Sequence, residues 1–238
     1  MKRLFTLLLS AATLICSCTQ SLETDIEVVR KPLSFYVDFD NPRIEFTDQN
    51  RYSWEGDELL GTYIRSTETT INAPATLTFA DGRAMCHTMV SGYAAGDNLH
   101  VYYPWSELND TNGPDKVTLT IPSVQKQAVA GDFAVENMPM VSSSLTLDPA
   151  TDTKVYMRPV AGFIRINIYS STALSESVRA VTYSAIDSPI AGDVTVDMTA
   201  VESSGEFFIS QGDKMSVSLS VAEPYAVTTS LSDTKPLY

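Results

Sequence analysis

Few side chains in this sequence suit bond-making chemistry, and their spacing does not favour it. The chain has two histidines and three cysteines among 238 residues. His87 and His100 have no second histidine or cysteine at metal-ligand spacing, apart from the adjacent Cys86. Neighbouring side chains of an extended segment point to opposite faces, so Cys86 and His87 would not share a metal. Cys86, in Ala84-Met85-Cys86-His87, reads as a small buried hydrophobe, because only His87 is placed to lower its pKa. Asp38 with Asp40, and Asp148 with Asp152, are too few ligands for a calcium hand and read as solvated turn residues. No glycine-rich phosphate loop occurs. A glycosidase-type carboxylate pair would have to be assembled by the fold from distant positions. The expectation is a protein that is not an enzyme, with no catalytic residue, no cofactor and no metal. Tyr102, Tyr103 and Trp105 form an aromatic cluster with two readings. They are core and strand end, or, if exposed, a platform that binds sugar or protein.

The remaining reactive group is near the N-terminus. Lys2 and Arg3 precede an apolar run from Leu4 to Ile15, shorter than the about 20 residues a membrane-spanning helix needs. It reads as a secretory signal, residues 1–17. Its end, Ile15-Cys16-Ser17-Cys18, resembles a bacterial lipobox. That resemblance implies cleavage before Cys18, acylation of its thiol (palmitate included), and a lipoprotein anchored in the outer membrane. The competing expectation is an ordinary signal peptide cleaved nearby, without lipid. With Cys16 removed and Cys18 acylated, only Cys86 is left, which excludes an intramolecular disulfide framework.

Loss of the signal removes two of the 16 basic residues and none of the 29 acidic ones, leaving a net charge of −15. Such a chain is repelled by nucleic acid and by anionic membrane surfaces, so its membrane link would be the lipid. Apolar residues make up 44% of the sequence, enough for a packed core rather than disorder.

These groups must be positioned by strands. Residues 18–32 form an acidic tether with Glu23, Asp25 and Glu27, and acids after a lipidated cysteine resemble the surface-export signals of Bacteroidetes lipoproteins. In Leu33 to Phe39 every odd position is apolar, the period of a half-buried strand. Further strand patterns are Arg43–Phe46, Leu59–Ile64, Ala75–Phe79, Arg83–Val90, Leu99–Tyr103, Val117–Ile121, Val155–Arg158 and Phe163–Tyr169. Ala80-Asp81-Gly82 is a hairpin-type turn. Ser123 to Ser144 has no clear period. A second series, Val178–Ala185, Val194–Met198, Phe207–Ile209 and Met215–Val221, follows. No long 3.6-residue apolar stripe occurs after Cys18. The pattern predicts an all-β, antiparallel β-sandwich protein: a first domain over 33–175 and a partial second β domain over 176–238.

Several segments resemble the fimbrillin family of Bacteroidetes pilus proteins. Ser53-Trp54-Glu55-Gly56-Asp57-Glu58-Leu59-Leu60-Gly61 is similar to a Trp-x-x-Gly-Asp segment of their N-terminal domains. His100-Val101-Tyr102-Tyr103-Pro104-Trp105 is similar to an aromatic-Tyr-Pro-aromatic strand end. Leu119-Thr120-Ile121-Pro122 is followed by Gln125 and Gln127. Val155 to Ile166 resembles a further strand pair, with Pro159 where the family usually has histidine, and Ile190-Ala191-Gly192 a small motif of the next domain. The resemblance implies transthyretin-like sandwich domains and a surface-exposed lipoprotein that serves as a fimbrial structural, anchor or adhesive subunit. It implies other fimbrial subunits as partners by strand exchange, the outer membrane through the lipid, a host or bacterial surface ligand for an adhesive member, and no nucleic acid. Polymerising members are cut after an arginine and exchange a strand, which makes Arg30, Arg43 and Arg51 the candidate processing sites. A lipid-anchored glycan-binding module is the alternative.

Overall fold

A computed structural model describes residues 30–39, 54–65, 72–113, 115–128, 131, 134–148, 150–199, 208–210 and 212–238. The signal, Cys18, most of the tether, Asp40, the extended segment at Arg43, and Arg51 lie outside them. The described chain is all-β.

Its main body is a closed ring. The strands β1 (Arg30–Phe39), β2 (Leu59–Arg65), β3 (Ala73–Ala80), β4 (Arg83–Ser91), β5 (Asn98–Tyr103), β8 (Met140–Ser142) and β10 (Lys154–Pro159) pair in the order β2-β3-β4-β1-β10-β8-β5, and β5 returns to β2. The short β9 (Leu145–Thr146) extends the β5 ladder beyond β8. All ring joints are antiparallel except one: β1 runs parallel to β10. Closure leaves the ring no free edge along most of its circumference. The β3–β4 hairpin turns at Asp81 and Gly82, both at positive φ, which suits the right-handed twist of the strands.

Period-two patterning fills the interior. Leu33, Phe35 and Val37 of β1 point inward with Leu60, Leu77, Cys86, Leu99, Val101, Val155 and Met157. Trp54 sits with this core, stacked on Phe39 at 4.9 Å and edge-on to Tyr103 at 5.6 Å. The turn before β2 is closed by Glu58, whose carboxylate accepts from the Glu55 and Gly56 amides at 2.6 and 2.7 Å. That is the physical role of the Trp-Glu-Gly-Asp-Glu segment.

Among the described residues, two small sheets lie beside the ring. β6 (Lys116–Ile121) pairs with β12 (Gly192–Asp197), which also pairs with β13 (Phe208–Ile209). β7 (Val124–Gln127) runs parallel to β14 (Ser216–Ala226), which pairs with β11 (Ser177–Ser184). The ladders thus cross the division drawn at residues 175 and 176. β6 and β12 pack Val117, Leu119, Val194 and Val196 against Tyr63, Tyr102 and Val141 on the outer wall of the ring. The strand expected over Phe163–Tyr169 is reduced to single bridges, Ile166 with Leu237 and Tyr169 with Thr228. Ile164 and Tyr169 are exposed, so the segment lacks the second buried contact that would extend the ladder. Its partner Leu237 is fully buried, and the last residues thereby tie into the third small core.

Candidate functional site

β1 is the element on which the family resemblance places function, and its seat is unusual. Arg30 to Tyr36 pair in register with Ser91 to Met85 of β4. Tyr36 to Phe39 pair with β10, Tyr36 being the residue common to both ladders, and the Tyr36 amide donates to the Thr153 carbonyl at 2.9 Å. Among the described residues, Arg30–Phe35 is therefore laddered on one side. Tyr93 donates its hydroxyl to the Pro32 carbonyl at 3.1 Å. Arg30, Lys31 and Pro32, assigned to the tether by sequence, open the strand and are exposed. The Arg30 peptide is thus held in a ladder, whereas Arg43 and Arg51 lie in the connection from β1 to β2, outside the described residues.

Inward, β1 contributes three side chains in alternation, with exposures of 6% for Leu33, 1% for Phe35 and 5% for Val37. Full burial of each is worth about 1.5–3 kcal/mol. Outward, Ser34 Oγ lies 2.9 Å from His87 Nδ1, and His87 Nε2 lies 3.0 Å from Thr78 Oγ1. A hydroxyl can donate or accept, so this row across β1, β4 and β3 is satisfied for either imidazole tautomer. It supplies no carboxylate to polarise the histidine as a hydrolytic base.

The other sequence candidates separate from this seat. Cys86 points into the ring and His87 out of it, as opposite faces of β4. Burial pushes the Cys86 thiol up to about 12, with a further push from the Glu58 carboxylate, so it is not a nucleophile at neutral pH. His100 is buried opposite Tyr63 in the β2–β5 ladder. Asp38 pairs with Lys154 at 2.9 Å, and Asp148 accepts the Ala150 amide in a turn. Among the described residues, no group of three or more His, Cys, Asp or Glu side chains is placed to hold a metal.

Tyr102 and Tyr103 are buried and Trp105 is half-buried, which corrects the platform reading of these aromatics. Tyr102 is core because β6 and β12 cover its side of the ring, and Tyr103 because it points into the ring against Trp54. Tyr102 donates to Asn72 Oδ1 at 2.6 Å, and Asn72 donates to the Ser106 carbonyl and to Asp110. Tyr63, stacked on Tyr102, donates to the Asn109 carbonyl. Asn109 in turn accepts from the Thr118 amide and donates to its carbonyl. The network fixes the loop after β5 rather than offering it to a ligand. Burial raises the pKa of both tyrosines. Gly61 makes room for it: a Cβ there would stand 2.0 Å from the Tyr102 ring.

Sequence reasoning missed an apolar cleft of about 480 Å³ between the ring and the β11-β14-β7 sheet, lined by Met138, Phe163, Ile166, Val181, Leu219 and Tyr238 among others. Its walls come from segments more than a hundred residues apart, so no local pattern signals it. No family model, curated protein or solved structure matches the chain.

Proposed function

We propose that the chain is a surface-exposed lipoprotein of the outer membrane, anchored through Cys18, that serves as a fimbrial subunit and assembles by β-strand addition at the seat of β1. The observation that carries this reading is the position of β1. It is the first described strand, and it closes the ring through its one parallel joint, on four residue pairs. Its departure would open the ring between β4 and β10. The gap would expose main-chain donors and acceptors on both flanks and the three seats of Leu33, Phe35 and Val37. Main-chain bonds give a replacement strand its affinity, and alternate pockets give it specificity. Arg43 and Arg51 stand in the connection that a protease would cut to release β1; a cut at Arg30 would free the lipid and leave most of the strand seated. An anchor or tip subunit would keep β1.

The transthyretin-like sandwich belongs to the same proposal. It is supported by the face-to-face packing of the β6–β12 layer on the ring wall. The alternative of a glycan-binding module through Tyr102, Tyr103 and Trp105 loses its support with the burial of the first two. The test is assembly: cells with and without the gene are compared for surface fibres and for a heat- and detergent-resistant ladder on gels. Fibres that depend on the gene and contain the chain support the reading. A chain that stays monomeric, whether or not it is cut, refutes polymerisation.

A further inference from the structure

Among the described residues, the outer wall of the ring is covered on one side only. Over β2, β5 and β8 the small β6–β12 sheet buries Tyr63, Tyr102 and Val141. Over β3, β4, β1 and β10 the outward residues face solvent, with Met89 47% and Tyr156 43% exposed. The charge of this bare wall runs against that of the chain. The outward positions of β1, β4 and β10 carry Arg30, Arg83, Lys154 and Arg158, and Asp38 as their sole carboxylate, in a chain with 16 basic and 29 acidic residues. β3 alongside has no charged side chain.

Two of these cations lie on aromatic rings. The Arg83 guanidinium carbon is 3.6 Å from the Tyr36 ring centroid, and the Lys154 ammonium is 4.8 Å from that of Tyr156. Lys154 also contacts Asp38 at 2.9 Å. A guanidinium held over a ring is fixed in position and keeps N–H groups for an oxyanion. An ammonium has three donors, and Asp38 takes one.

We propose that this wall binds an anionic polysaccharide, its acid groups pairing with Arg83 on one side of β1 and with Lys154 on the other. β4 and β10 flank β1, and the register sets Arg83 level with Asp38 and Lys154 level with Tyr36, so their Cα atoms stand two strand spacings across and two residues along, about 12 Å apart. That is comparable to the interval between acid groups on a polymer with one per disaccharide. Duplex nucleic acid presents a charge about every 1.7 Å, and a net charge of −13 opposes so dense a polyanion. Exposed Met89 and Tyr156 offer apolar surface to the C–H faces of sugar rings between the acid groups. Binding does not depend on strand exchange, although Tyr36 and Asp38 leave with β1 if it is released.

The test is retention of the mature chain on immobilised hyaluronan at ~50 mM salt, where screening is weak. Neutral dextran, duplex DNA and anionic phospholipid vesicles serve as comparisons. Retention on hyaluronan, released by salt and weakened about tenfold or more in Arg83→Gln/Lys154→Gln but unchanged in Lys214→Gln, a lysine outside the ring strands that pairs with Asp213 before β14, is expected. Absence of retention, equal retention of the double variant, or tighter binding to DNA or vesicles would overturn the proposal. In the unmodified protein, hyaluronan should slow acetylation of Lys154 and spare Lys214; equal rates with and without the polymer at Lys154 would also overturn it.

Discussion

Replacing Phe35 by alanine probes the seat of β1 most economically. Phe35 is 1% exposed, opposite Cys86 in the β1–β4 ladder and flanked along the strand by Leu33 and Val37. Removing a buried phenyl ring costs its transfer energy plus a cavity, about 3–5 kcal/mol. β4 holds one wall of the site in register, and the closed ring limits collapse of the rest, which favours the upper part of that range. Such a loss is a large fraction of the about 5–15 kcal/mol typical of a folded domain. Ser34, the next residue, points out of the ring, and its hydroxyl contact with His87 is exposed. Ser34→Ala should therefore stay within about 0.5 kcal/mol of the parent. The assay is urea unfolding followed by near-ultraviolet circular dichroism, with the slope of the transition checked for constancy. A Phe35→Ala cost under about 1 kcal/mol, or equal costs for the two substitutions, would mean that β1 is not seated in the ring as described.

Three further outcomes are expected. Gly61→Ala should destabilise the ring and shift the Tyr102 signals, because the new Cβ meets the Tyr102 ring at 2.0 Å; wild-type stability would contradict that close approach. The Cys86 thiol and the Tyr103 hydroxyl are both pushed up to about 12, chiefly by burial. The folded state then holds these protons more tightly, so their contribution is full below the unfolded values of about 8.5 and 10 and is lost as pH rises towards 12. Stability measured from pH 7 upward should fall in that window, and Cys86→Ala should move the onset from the thiol range to the tyrosine range; a flat alkaline profile would contradict the burial. Cells fed labelled palmitate should label the chain and not its Cys18→Ala variant, and equal labelling would remove the anchor.

Much of the strand order was legible because one face of each ring strand is buried. Leu33-Phe35-Val37 and Ala75-Leu77 alternate as their seats require. The start of β1 was not legible, since Arg30-Lys31-Pro32 has no apolar alternation and is held by main-chain pairing and by the Tyr93 hydroxyl on the Pro32 carbonyl. Phe163–Tyr169 alternates as well as many true strands, yet it finds only single bridges; a pattern reports which face could be buried, not whether a neighbour is present. Ring closure depends on which strand lies beside β10, a tertiary fact with no local signal. Tyr102 could have been core or platform until the β6–β12 layer was placed over its side of the ring, and Tyr103 until ring closure turned it inward. The basic wall was hidden for the same reason. Arg30, Arg83, Lys154 and Arg158 are scattered through an acidic sequence and meet only when β4, β1 and β10 pair.

The central claim is that β1 leaves its seat when the chain assembles. N-terminal sequencing of the chain recovered from surface polymers tests it directly. The account predicts a start after Arg43 or Arg51 in polymerised chains, with β1 absent from them. A start still at Cys18 in the polymerised chain would contradict it.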